Sequence, residues 1–333
     1  MHRFASKRSL GGVTSSLWSP RQHGEPMTQP RRILKGATYL VTRRCVDRQF
    51  LLTPRGKIAD LFGYALAKSL KTHGVELHGV MAMPNHWHGL MTDPHGVIDM
   101  CARDTGSLSA RSLNAHYGRC ESLWSSQGLS LVRLEGPEDV LDKLVYMTMN
   151  PVKAGLVERP SDWPGLRTLP SSLLHRPKVI RRPRTSFYAR SKLPEEVELE
   201  VTIPPQLAHL GKEEFVRQYE ARVEQEVEAL RTERKREGKS VKGAHAVMRQ
   251  RRDGKPKTRE VRGGRDPVIA CKDKERRLHA IGVERAFRRD YRDAWMRQAA
   301  GEKDVMFPAG TLLMARLHGV LCERAPPPEL QAA

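Results

Sequence analysis

The chain has 333 residues, and 58 Lys and Arg against 38 Asp and Glu leave a formal net charge of +20. That surplus repels itself in a compact state and calls for a polyanion as partner, either nucleic-acid phosphates or an anionic surface. No apolar run reaches the roughly eighteen residues of a transmembrane helix, and residues 1–32 carry Arg, Ser, Gly and Pro without the apolar stretch of a secretory signal.

Residues 1–32 read as a basic, disordered arm. Ala37-Thr38-Tyr39-Leu40-Val41-Thr42 is β-branched and aromatic and reads as a strand. A polar connection with Arg43, Arg44, Asp47 and Arg48 follows. Over 57–73, Ile58, Leu61, Phe62, Ala65, Leu66 and Leu70 fall on the i, i+3, i+4 spacing of a helix, and Gly74 stands where that helix should stop. Residues 75–83 and 86–92 read as two strands joined through Pro84-Asn85, an antiparallel hairpin. Residues 98–117 read as a helix with Arg103, Arg111 and His116 on a basic face, and 129–134 as a short strand. Gly136-Pro137-Glu138-Asp139 opens a further helix with Val140, Leu141, Leu144 and Val145 as its buried stripe. Pro151 disfavours helical geometry at Asn150 and should end that helix there. Asp162-Trp163-Pro164-Gly165 closes the unit. Strands and helices alternating over short connections predict an α+β domain at 33–168: a ferredoxin-like antiparallel sheet with helices on one face.

Beyond it, 169–211 is rich in Arg and Lys broken by proline and reads as a basic linker. Residues 212–333 read as a basic, mainly helical C-terminal region. It has a charged helix over 212–237 with Phe215, Tyr219, Val223, Val227 and Leu230 along one side, and a second helical stretch over 268–298 that Gly282 interrupts. The five cysteines, Cys45, Cys101, Cys120, Cys271 and Cys322, include no Cys-x-x-Cys pair. They suggest neither a disulfide framework nor a zinc ribbon, and they favour a reducing, cytoplasmic setting.

Chemistry concentrates in Met83-Pro84-Asn85-His86-Trp87-His88. Side chains on a strand alternate faces, so His86 and His88 point one way and Trp87 the other, into a core. Two imidazoles side by side on a rigid strand are a ready pair of metal ligands, and equally the polar residues of a half-buried strand. Tyr146 and Asn150 are four apart and share a helix face, with Asp142 one turn earlier. Read alone, Tyr146 is a core-edge tyrosine and Asn150 a helix cap. Asn85 shapes the turn, and His73, His78 and His95 read as solvated or capping residues. Arg43, Arg44, Arg48, Arg103 and Arg111 are candidates for phosphate contact.

Taken together, the histidine stretch and Tyr146-Met147-Thr148-Met149-Asn150-Pro151-Val152-Lys153-Ala154-Gly155-Leu156-Val157 resemble the single-tyrosine HUH transposases, in particular the REP-associated tyrosine transposases. The resemblance spans residues 33–168 and departs most at Leu123-Trp124-Ser125-Ser126-Gln127-Gly128. It implies a nickase and strand transferase acting on single-stranded or hairpin DNA. His86, His88 and Asn150 would be ligands of Mg²⁺ or Mn²⁺, and Tyr146 the nucleophile that forms a 5′-phosphotyrosine. It implies DNA as partner, no small-molecule cofactor, a nucleoid association when DNA is bound, and a monomer or a homodimer with the tyrosine helix in cis or in trans. A non-catalytic DNA- or RNA-binding protein on the same fold is the competing reading.

Overall fold

The computed structural model describes residues 30–258 and 267–325; the basic arm read at 1–32 lies outside them except for its last three residues. The first six elements are β1 (Ala37–Cys45), α1 (Gly56–His73), β2 (Glu76–Met83), β3 (His86–Asp93), α2 (Ile98–Tyr117) and β4 (Trp124–Leu134). They form the βαββαβ order of a ferredoxin-like unit, and the strands lie side by side as β2-β3-β1-β4. All pairs among these four are antiparallel, with Thr42 opposite His88 and Arg44 opposite His86.

The central strands are apolar on both faces, so both must be covered. Tyr39 and Val41 of β1, Val80 and Ala82 of β2, and Trp87 and Met91 of β3 pack with Phe62, Leu66, Cys101 and Leu108 of α1 and α2. Leu40, Met81 and Leu90, on the alternate positions, face the next helix, α3 (Pro137–Lys153). The expectation of helices on one face holds for α1 and α2, and α3 adds a layer on the other. Its close approach uses Gly79, where a Cβ would stand 2.5 Å from Met147 Cε. The helix also runs past Pro151, which was expected to end it. Even in the last turn a proline removes one N–H bond and crowds the carbonyl four residues back, but Met149 and Val152 are buried in the core on either side of it and the backbone of 150–153 stays helical.

The stretch 169–211 is more than a linker. It contains a two-stranded hairpin, β5 (Lys178–Arg181) with β6 (Glu196–Leu199). Ile180, Tyr188, Val197 and Leu199 join the core beneath α1 and α2. The Tyr64 hydroxyl donates to Pro194 O. α4 (Gly211–Glu237) then crosses the outer side of α3, burying Phe215, Val216, Tyr219, Val223 and Val227 against it. After the short α5 (Ala244–Met248), the chain returns to the sheet as β7 (Ile269–Ala270), a fifth strand parallel to β4. α6 (Lys274–Ala299) is continuous through Gly282, where an interruption was expected, because a single exposed glycine costs a helix only about 1 kcal/mol. β8 (Met306–Phe307), α7 (Leu312–His318) and β9 (Leu321–Cys322) complete the described chain, with Phe287, Tyr291 and Phe307 in a small separate core. Among the described residues, no helix is long and apolar enough to cross a membrane.

Candidate active site

The alternation of β3 puts Trp87 in the α1–α2 core and turns His86 and His88 towards α3. Their rings stand edge to face with centroids 4.8 Å apart. Tyr146 projects from α3 so that its ring meets that of His88 at 5.8 Å, again edge to face. The tyrosine remains 41% exposed in a helix whose neighbouring residues, Val145 and Met147, are buried. Asn150 lies one turn further along α3, half-buried on the Tyr146 side. His86, His88 and Tyr146 therefore meet, and Asn150 shares the helix face that faces them.

Each imidazole is oriented through Nδ1. His86 Nδ1 donates to Asn85 Oδ1 at 2.8 Å, and His88 Nδ1 lies 2.7 Å from the Thr42 hydroxyl directly across the sheet. Nε2 of both rings is left to ligate, the arrangement in which a partner on the second ring nitrogen fixes the tautomer of a metal-binding histidine. Burial, with Arg44 and Arg48 nearby, lowers the His86 pKa to about 4. Burial holds His88 well below the usual imidazole range too, reinforced by His86, Arg44 and Lys143. Both rings are thus neutral near pH 7, with lone pairs available to a cation. Among the described residues, no three His, Cys, Asp or Glu side chains gather to hold a metal. The side chains on this face that could serve as donors to a cation are the two imidazoles and the Asn150 amide oxygen.

Of the five arginines expected at phosphate, two lie at this end of the site. Arg44 is exposed directly opposite His86. Arg48 is close enough for its charge to act on His86, and its guanidinium donates to Thr258 O and Oγ1 at 2.7 and 2.9 Å. The other three lie on the far face, because alternation sends Arg43 the opposite way from Arg44. Arg43 stacks over Trp124 at 5.4 Å. On α2, Arg103 pairs with Asp104, and Arg111 lies over Phe187 at 6.0 Å. A strand lying at the histidines could not touch all five.

Asp142 points away from the tyrosine, accepting from Arg222 of α4 at 3.0 Å and from Lys272. His78, expected to be solvated, is buried between Thr202 O and Thr92 Oγ1. His73 pairs with Asp104 at 2.9 Å.

Three further residues belong to the site. Thr42 needed the strand register to be found. Lys143 and Lys153 put their ammonium groups 5.5 and 5.8 Å from the Tyr146 ring centre, and Lys153 also pairs with Glu226 of α4. Their offsets of minus three and plus seven from Tyr146 are helical spacings, a signal available in the sequence.

No protein-family model matches the chain. The REP-associated tyrosine transposase of Escherichia coli K12 is 26% identical to it over 140 residues, 41% of this chain and 81% of that protein. The chain carries a region related to the REP-associated tyrosine transposases. The family resemblance read from the sequence is thus borne out. A solved structure of a REP-associated tyrosine transposase bound to a REP hairpin gives a TM-score of 0.36 at 23% identity, covering 42% of this chain and 81% of the other. Each match covers about two-fifths of the chain.

Proposed function

We propose that this protein is a transposase-type DNA nickase and strand transferase. Its substrate is single-stranded or hairpin DNA, and its intermediate is a 5′-phosphotyrosine on Tyr146. The observation that carries the reading is the meeting of the Tyr146 ring with the paired imidazoles of His86 and His88. The similarity to a tyrosine transposase supports the reaction class. His86, His88 and Asn150 would hold Mg²⁺ or Mn²⁺, which when bound supplies Lewis-acid polarisation of a nonbridging phosphate oxygen.

The residues of the chain account for the remaining requirements. The Tyr146 oxygen attacks phosphorus, the phenolic proton passes to water at this exposed position, and the 3′-oxygen of the preceding nucleotide leaves as a hydroxyl. One phosphoester replaces another, so rejoining to a second 3′-hydroxyl needs no ATP. Lys143 and Lys153 stand where a phosphate approaching the hydroxyl meets positive charge. α3 carries the nucleophile and the third ligand one turn apart, so one rigid element registers both.

The test uses labelled single strands and hairpins from the DNA flanking the coding region, incubated with Mg²⁺ or Mn²⁺ and resolved on denaturing gels. The wild-type protein should form a covalent adduct, and Tyr146→Phe should lower it by at least about a thousand-fold while keeping DNA affinity. Undiminished adduct in that variant removes Tyr146 from the role. Binding without any wild-type adduct favours the non-catalytic DNA- or RNA-binding alternative.

A further inference from the structure

We infer that the C-terminal extension completes a second nucleic-acid site, a cationic groove that takes the sugar-phosphate backbone of DNA flanking the cleavage position. The inference rests on the proposed reaction for the identity of the polyanion. The groove has a volume of about 710 Å³ and lies between the start of α1, the end of α2 and residues 250–253. Arg55, Lys57, His116, Arg251 and Arg252 line it, and Asp253 is the one carboxylate among the described lining residues. Four permanent cations against one acid leave a concentrated positive charge, which a polyphosphate neutralises with release of its counterions. α1 opens into the same space with no side chain capping its first turn.

The groove is built, with distinct roles for its arginines. Arg55 donates to Met248 O at 2.7 Å and Gln250 O at 3.3 Å, fastening the extension to the core. Arg252 donates to Tyr117 O at 3.0 Å and stacks over the Tyr117 ring at 5.5 Å. These two hold the walls. Lys57 is exposed in the first turn of α1, and Arg251, exposed at the groove's rim, forms a two-bond pair with Asp253 at 3.0 and 2.8 Å. These two are the available phosphate contacts.

The groove also adjoins the candidate active site through a short, rigid path. Leu52 N–H donates to Pro84 O and Cys45 N–H to Asn85 O, both at 2.8 Å, two residues and one residue before His86 respectively. Phe50 N–H donates to Gly254 O at 3.0 Å, and Arg48, beside His86, holds Thr258. Residues 250–258 thus run from the groove to the histidine edge, carrying Lys255 and Lys257 along the way. A strand leaving the site over this edge meets positive charge from its first phosphates onward.

The experiment measures affinity of the full chain for a fluorescent DNA hairpin, either blunt or with a single-stranded flank of about 12 nucleotides, within the span of known single-strand sites, across a salt series. The flanked probe should bind more tightly and with the steeper salt dependence. Lys57→Gln with Arg251→Gln should reduce the slope of log K against log salt by roughly 1.4, two contacts at 0.7 each, and should abolish the advantage of the flank. Arg285→Gln with Arg292→Gln removes the same charge from α6, at the opposite end of the sheet, and should leave the slope unchanged. Lys57→Glu guards against misfolding, since an acid suits the first turn of a helix, and should lose the flank advantage as well. An unchanged slope in the groove variants, or an equal loss in the α6 control, overturns the groove. So does a mononucleotide that competes as well as the strand. An adduct at Tyr146 with no change in slope defeats the groove alone, whereas the predicted slopes without any adduct defeat the proposed reaction and leave a nucleic-acid groove standing.

Discussion

His78 on β2 is enclosed by Thr202 O at 2.9 Å from Nδ1 and by Thr92 Oγ1 at 2.7 Å from Nε2. The neutral ring satisfies both, donating from Nδ1 to the carbonyl and accepting the threonine proton at Nε2. Burial lowers its pKa to about 4, against the opposing effect of the Thr202 bond. The unfolded chain, with an imidazole near 6.5, binds more protons across that interval, so stability must fall as pH drops from about 6.5 towards 4. The loss from His78 alone amounts to as much as roughly 3 kcal/mol. Urea unfolding at stepped pH should show this decline in wild type and a shallower one in His78→Gln, which cannot charge; matching curves would reject the assignment. At this scale the sequence revealed its alternating residues. His86 and His88 on one face with Trp87 on the other followed from strand periodicity alone. Thr42 and His78 did not, because the partner of each is set by cross-strand register or by a distant segment such as Thr202, and neither is encoded locally.

The tyrosine helix illustrates how one element is held from two sides. Leu144 and Met147 of α3 pack onto the sheet over Gly79, while Tyr219 of α4 reaches the other side. The Tyr219 hydroxyl bonds with the Thr148 hydroxyl and donates to Leu144 O, and all three groups are buried. Beyond it, Arg159 pairs with Glu224, Arg234 donates to Val152 O, and Lys242 N–H donates to Gly155 O at 2.9 Å. Tyr219→Phe strands the buried Thr148 hydroxyl and should cost about 1–3 kcal/mol in denaturant unfolding; a change below a few tenths would mean that the pair contributes nothing to the clamp. The helix itself was legible from its Gly-Pro-Glu-Asp start and apolar stripe. Its end was misplaced, because the rule for residues before proline describes a local preference, and the packing of Met149 and Val152 into the core outweighs it.

Across the whole molecule, the related region and the extension form one folded unit. Ile180, Tyr188, Val197 and Leu199 complete the α1–α2 core, Phe215 to Val227 complete the α3 layer, and β7 extends the sheet itself. The ferredoxin-like order could be read from alternating periodicities. The integration of 169–211 could not, since its few apolar residues are scattered among arginines and prolines and acquire meaning only against surfaces far away in sequence. Local composition there describes a solvated strand, and tertiary burial decides otherwise.

The fastening of α3 beneath α4 carries a genetic corollary. A helix pinned between its own sheet and its own neighbour cannot be lent to another copy without dismantling both contacts. Two crippled proteins, one bearing Tyr146→Phe and the other His88→Ala, should therefore fail to complement each other when mixed or co-expressed. Recovery of adduct formation in such a mixture would mean that the nucleophile had crossed between subunits.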